Sequence, residues 1–301
     1  MHSRRTSALG SSPAMPDGNA TWRGVVSATS ARVGDERAAR WLCETASGAD
    51  DADEFRSMLD DTVSVRAAAH LESMVTRVEA GEPLQYALGR WAFRRLDLMV
   101  DRRVLIPRPE TELVVDHVLA HLRTLGRRAV VADLGTGSGA IGLSVLHEMP
   151  PGSVDVWMTD ESEDALDVAR ANAAGVARSA TGARFARGDW YGALPESLRG
   201  NVDVVVSNPP YVAMDDPELD ASVRAWEPAG ALIAGRDGLD DLRIIISTAH
   251  EWLRSGGLLV VEIGHSQGRA VTDLCLRSGM GDVRVRQDLA GRDRFVSGVR
   301  P

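Results

Sequence analysis

Cysteine is almost missing from this chain, and the two that occur, Cys43 and Cys275, lie far apart with no C-x-x-C spacing. That excludes a disulfide framework and a thiolate zinc site, and it suits a reducing compartment, so a cytoplasmic protein is expected. His117 and His121 sit four apart on a predicted helix, but no H-E-x-x-H pattern accompanies them and no third ligand is evident, so no metal is expected. No apolar run is long enough to cross a membrane, no internal repeat is present, and the N-terminal residues hold no signal-peptide core. A dense Lys/Arg run is also absent, and the formal charge is −9 with a pI of about 5.3. Such a surface does not neutralise phosphates, so direct nucleic-acid binding is not expected and a basic-surfaced protein is the better partner.

What is present suffices for a full α/β domain and a smaller one: 301 residues, 44% of them hydrophobic. Residues 1–20, rich in Ser, Gly, Pro and Ala, read as a disordered tail in which Met15 offers an alternative start. Over 21–82, Ala38, Ala39, Trp41 and Leu42, then Phe55, Met58 and Leu59, then Leu71, Met74, Val75 and Val78 recur at helical steps. They predict a small helical bundle, with one helix capped by the Asp50-Asp51-Ala52-Asp53 run. A linking stretch over 83–104 holds a predicted hairpin, its strands at Trp91 to Phe93 and Leu96 to Val100. Strands then alternate with helices over 105–301, the pattern of a parallel sheet covered on both faces. An antiparallel pair near Val283 to Val285 and Arg294 to Val299 closes it.

Four strand ends carry the chemistry. The run Val202 to Ser207 stops in Asn208-Pro209-Pro210-Tyr211. The prolines fix φ at about −65° and remove two N–H donors, which leaves a stiff loop whose carbonyls are not drawn into a ladder. An amide or aromatic amine nitrogen has a delocalised lone pair, is a poor nucleophile, and has to be aimed. Its two N–H groups suit two acceptors, the side-chain oxygen of Asn208 and the main-chain oxygen of Pro209, with Tyr211 covering the flat face. The same four residues also make an ordinary strand-ending turn. No buried acid or base is evident beside Asn208, and no Ser/His/Asp triad is supported.

The strand Val130 to Leu134 leads into Gly135-Thr136-Gly137-Ser138-Gly139 and an apolar-periodic run from Ala140 to Leu146. Alternate glycines admit φ > 0 and let a ligand touch the backbone. The spacing is G-x-G-x-G, not the G-x-G-x-x-G of dinucleotide enzymes, and it suits a nucleoside carrying an amino acid better than a pyrophosphate. The strand Val154 to Thr159 ends at Asp160, placed either to take ribose hydroxyls or to cap the helix that begins near Glu163. A third strand, Ala183 to Gly188, delivers Asp189 and Trp190, an amine acceptor beside a flat ring or simply a packed Trp.

Taken together with Gly81 to Gly89, Leu105-Ile106-Pro107-Arg108-Pro109-Glu110-Thr111-Glu112, Glu227-Pro228, Gly235 to Leu239 and Asp288 to Arg294, these motifs resemble the HemK/PrmC family of protein-(glutamine-N5) methyltransferases. Members use S-adenosylmethionine to methylate the Gln of the Gly-Gly-Gln motif in peptide chain release factors. The resemblance covers Gly81 to Val299. It implies a Rossmann-like S-adenosylmethionine-dependent methyltransferase sheet with a small N-terminal helical bundle that helps grip the protein substrate. Carried over by position, it implies that Gly135, Thr136, Gly137, Ser138 and Gly139 line the methionine and ribose of the cofactor. Asp160 would bind the ribose, and Asp189 and Trp190 would border the adenine. Asn208 would contact both cofactor and target, while Pro209, Pro210 and Tyr211 hold the Gln. Arg108, Glu110 and Thr111 would help close the site, beside an ordinary helix start with Pro109 in its first turn. The transfer implied is direct and in line, with no covalent enzyme intermediate and no strong general base. Asn-Pro-Pro-Tyr alone also occurs in methyltransferases of nucleic-acid exocyclic amines, for which no basic recognition domain is visible here. A noncatalytic cofactor- or partner-binding relative is the other alternative, and the intact glycine loop and tetrapeptide argue against it.

Overall fold

The computed structural model describes residues 20–176 and 180–301, so the tail expected over 1–20 lies, save Ala20, outside the described residues. The chain divides between Leu88 and Gly89 into two compact units.

The first unit holds α1 (Trp22–Val33), α2 (Glu36–Ser47), α3 (Ala52–Ser57), α4 (Val65–Glu79) and α5 (Leu84–Leu88). Asp35, Asp51 and Ser64 accept first-turn N–H groups at the starts of α2, α3 and α4, which supplies partners that a helix start otherwise lacks. Leu42, Phe55, Leu71 and Val75 are fully buried, and the ring of Trp22 meets Phe55 edge-on at 5.7 Å. Arg32 on α1 pairs with both Glu72 and Glu79 on α4, tying those helices together. The link expected from residue 83 starts later than the sequence suggested, because Leu84–Leu88 is helical and belongs to this unit. Arg77 on α4 donates to Glu82 and to the carbonyls of Tyr86 and Ala87, holding the short helix in place.

The second unit opens with the hairpin β1 (Arg90–Phe93) and β2 (Leu96–Met99). A 3-10 turn at Pro109–Thr111 leads into α6 (Glu112–Leu122). Then follow β3 (Ala129–Leu134), α7 (Ala140–Glu148), β4 (Val154–Asp160), α8 (Glu163–Gly175), β5 (Ala183–Arg187) and β6 (Val202–Ser207). The remainder comprises α9 (Ala221–Trp226), α10 (Asp240–Trp252), β7 (Leu253–Glu262), α11 (Gly268–Arg277), β8 (Gly281–Gln287) and β9 (Asp293–Val299). One sheet takes the order β5-β4-β3-β6-β7-β9-β8, parallel from β5 to β7 and antiparallel at β9 and β8.

Helices cover both faces, which is why the central strands read as unbroken apolar runs. Val131, Val204, Val206 and Val260 pack into a core built with α6 and α7, while Ala132, Val205, Leu259 and Val261 pack into one built with α10 and α11. The chain winds outward from β3 through β4 to β5, then returns to β6 on the far side of β3. Loops at the carboxyl ends of β3 and β6 therefore part in opposite directions and leave a crevice at that switch point.

Candidate active site

One row of paired residues crosses the sheet near its carboxyl edge: Ala186, Thr159, Leu134, Ser207 and Val261, on β5, β4, β3, β6 and β7. The hydroxyl of Ser207 reinforces it by donating to the carbonyl of Leu134 at 2.7 Å. The residues one step beyond this row are Asp160, Gly135, Asn208 and Glu262. Register alone thus sets a carboxylate, a tight turn, an amide and a second carboxylate side by side.

The ends of β3, β4, β5 and β6 border a cavity of about 500 Å³. Of the residues singled out from sequence, it is lined by Gly135, Thr136, Gly137, Ser138, Asp160, Asp189, Trp190, Asn208, Pro210 and Thr111. Gly139, Pro209, Tyr211, Arg108 and Glu110 stand outside the lining.

On one side, Gly135 has φ +70°, and a Cβ there would come within 3.2 Å of the Trp190 ring, so both backbone and neighbour demand glycine. Buried Asp133 braces the turn, accepting from the Thr136 hydroxyl at 2.6 Å and from the Gly142 N–H at 3.0 Å. Burial pushes its carboxyl up to about 6. Asp160 accepts the N–H groups of Gly137 and Ser162, each at 3.0 Å, and burial raises its pKa. The cap of α8 is Ser162, which accepts from the Ala165 N–H, so the capping role weighed for Asp160 falls to Ser162. Trp190 takes the left-handed conformation, rare for an aromatic residue, at φ +44°, and its ring lies near Asp241, whose carboxyl pKa is raised by burial.

On the other side, Asn208 Nδ2 lies 3.4 Å from Thr111 Oγ1, and the Thr111 hydroxyl donates to Glu262 Oε2 at 2.7 Å. The Tyr211 hydroxyl donates to Glu262 Oε1 at 3.2 Å. Burial pushes the Glu262 carboxyl up to about 7, against the pull of those two donors. Burial and the neighbouring Glu262 push the Tyr211 phenol well above its usual range, so it remains a neutral donor. Asn208 Oδ1 is buried and has no hydrogen-bond partner among the described residues. Arg108 Nη2 reaches Glu227 Oε1 at 2.5 Å, and Glu110 faces Arg294 at 3.6 Å.

Glu262 corrects the reading that no buried acid stands beside Asn208. Its sequence signal was a lone carboxylate closing the apolar run Leu258 to Val261, a position that a central strand has to bury. His117 leans on Phe295, and burial lowers the pKa of both His117 and His121. Among the described residues no group of three or more His, Cys, Asp or Glu side chains is placed to hold a metal, and no helix is long and apolar enough to cross a membrane.

Strand order, terminal hairpin and the position of the glycine turn define a Rossmann-like S-adenosylmethionine-dependent methyltransferase, and residues 110–235 match the methyltransferase small domain. Residues 29–89 match the PrmC N-terminal domain. A release factor glutamine methyltransferase from Xylella fastidiosa (strain 9a5c) is 43% identical over 242 residues, covering 80% of this chain and 85% of that protein. Another, from Gloeobacter violaceus, is 40% identical over 274 residues, 88% and 92% of the two chains. The chain belongs to the release factor glutamine methyltransferase family. Its fold is shared by a 16S rRNA methyltransferase of T. thermophilus solved with AdoMet and guanosine, with TM-score 0.50, 17% identity, and 70% and 50% of the two chains covered.

Proposed function

We propose that this protein transfers the methyl group of S-adenosylmethionine to the side-chain amide nitrogen of the Gln in the Gly-Gly-Gln motif of peptide chain release factors. The observation that carries the reading is Asn208 Oδ1, an orphaned buried acceptor on a residue that lines the same cavity as the glycine turn. Leaving such an acceptor unmet costs about 1–3 kcal/mol, so it suits a site that a donor completes on binding. The N–H of a substrate amide is such a donor.

A cavity of about 500 Å³ is ample for a nucleoside bearing an amino acid. When bound, S-adenosylmethionine supplies the methyl group on a sulfonium that is already activated. The chain contributes orientation and exclusion of water. In this reading Gly135 to Gly139 cradle the methionine and ribose, Asp160 accepts from the ribose, and Asp189 and Trp190 border the adenine. Asn208 Oδ1 and the Pro209 carbonyl receive the two amide N–H groups, while Pro210 and Tyr211 stiffen that wall. Arg108, Glu110 and Thr111 close the site, a role supported for Arg108 by its tie to buried Glu227. No side chain forms a covalent intermediate. The nitrogen becomes acidic as the new bond forms and gives its proton late, to water.

The charged side chains lining the cavity are Arg103 against Asp160, Glu161, Asp189 and Asp241. That balance favours a protein target over a phosphate backbone, and direct nucleic-acid binding is not part of the proposal. The match of residues 29–89 supports the helical unit as the grip on the release factor. A translation factor as substrate also makes the protein cytoplasmic. The test is incubation with labelled S-adenosylmethionine and a purified release factor carrying either Gly-Gly-Gln or Gly-Gly-Ala. Label is expected in the first alone; label in both, or in neither, overturns the assignment.

A further inference from the structure

We propose that Glu262 is a positioning residue that fixes which way the Asn208 amide faces, acting through the hydroxyl of Thr111. The inference rests on the proposed function for its consequence in catalysis, but the geometry behind it stands alone. A threonine hydroxyl has one hydrogen to give. Thr111 gives it to Glu262 Oε2 at 2.7 Å, the stronger choice because an ionised acceptor shortens and strengthens the bond. The oxygen of Thr111 is then free only to accept, and the group of Asn208 that meets it at 3.4 Å has to be the donor Nδ2. The other end of the amide, Oδ1, is thereby left as the acceptor without a partner. The second oxygen of Glu262 meanwhile holds the Tyr211 hydroxyl, so one carboxylate fixes both ends of the Asn208 to Tyr211 loop.

Protonation of Glu262 undoes this polarity. A neutral carboxylic acid can donate to Thr111, whose hydrogen is then released toward Asn208. Asn208 Oδ1 gains by turning to meet it, and the NH₂ group turns toward the cavity. A donor then faces the donor N–H of the target, and aim is lost. The groups facing Glu262 are Thr111 and Glu110 from the turn before α6, Tyr211 from the loop after β6, and Arg294 from β9. Arg294 is itself engaged by Asp288 at 2.8 Å and by Glu110, so it moderates the rise in the Glu262 pKa without abolishing it.

The first readout needs no catalysis. The side-chain amide ¹⁵N–¹H signals of Asn208, assigned by their loss in Asn208→Ala, are followed in the full-length protein from about pH 5 to about pH 9. They are expected to shift with a midpoint near neutrality in wild type and to stay flat in Glu262→Gln and Thr111→Val. The second readout is single-turnover transfer to release factor. Glu262→Gln is expected to lower the rate at neutral pH by about tenfold or more and to remove the acid limb of the pH profile, with cofactor affinity unchanged. Thr111→Ser, which keeps the hydroxyl, is expected to recover most of what Thr111→Val loses. Asn208 signals insensitive to pH in wild type, or a Glu262→Gln variant that keeps the wild-type acid limb, overturn the proposal. If wild type labels no release factor at any pH, the proposed function falls by itself, and the amide titration still decides the inference.

Discussion

The guanidinium of Arg108 lies 2.5 Å from one oxygen of Glu227, and the other oxygen of that buried carboxylate accepts the Ile106 N–H at 3.2 Å. This pair fastens residues 104–108, of which Val104, Leu105 and Pro107 line the cavity, to the chain just after α9. Arg108→Ala would leave the carboxylate buried with that single N–H. The expected loss is about 2 kcal/mol or more, below the full cost of breaking a fully buried pair because Arg108 is partly open to water. Denaturant midpoints at constant m-value measure it, and calorimetry should show weaker cofactor binding in the folded protein. An unchanged midpoint would show that the Arg108–Glu227 pair does not fasten this segment.

Asn208→Ala separates binding from transfer. Cofactor affinity should stay within a few-fold of wild type, whereas methyl transfer should fall on the order of a thousandfold. Because the substitution deletes an acceptor that has no partner, the melting temperature should hold or rise. Near-normal turnover would take Asn208 out of its proposed role.

Gly135→Ala strikes the cofactor side. A left-handed backbone at φ +70° costs a residue with a Cβ about 1–2 kcal/mol, and the new methyl presses on the Trp190 ring. Cofactor affinity is expected to drop about tenfold with an altered tryptophan emission. Emission and affinity equal to wild type would show that the ring and the turn are independent.

Glu262 should leave a mark on stability opposite in sign to its mark on activity. Its folded pKa, about 7, lies above the ordinary carboxyl value, so its contribution to stability is complete below that ordinary value and is lost as pH rises through 7. Glu262→Gln does not titrate. The variant should therefore gain on wild type between about pH 5 and pH 8, by up to about 3 kcal/mol. Thermal unfolding of both proteins across that range tests it, and a constant difference would place the Glu262 pKa elsewhere.

Local chemistry was readable in the sequence, and lateral chemistry was not. The glycine turn, Asp160 and Asn208 announce themselves because each sits where a strand stops. The terminal hairpin is equally plain, since no helix intervenes between Val285 and Arg294. Glu262 and Glu227 required the pairing of distant segments. β6 and β7 meet across the whole length of α9 and α10, and their register follows from burial on both faces, which no short motif records. The start of the linking stretch was misjudged for a similar reason. Pro83 and Gly89 punctuate the chain like a linker, but the arginine that holds α5 comes from α4.

The row from Ala186 to Val261 has an evolutionary consequence. Substitutions at single positions can tune this site, but inserting or deleting one residue within β3, β4 or the evenly paired runs Val204 to Ser207 of β6 and Leu258 to Val261 of β7 cannot. Such a change shifts the terminal group out of line and at once turns the strand's buried side chains onto the wrong face. Misplaced chemistry and a failed core arrive together, so the lesion yields a chain for the proteases and not a folded, idle enzyme that competes for release factors. Changes in length are tolerated physically only in the loops beyond the strands.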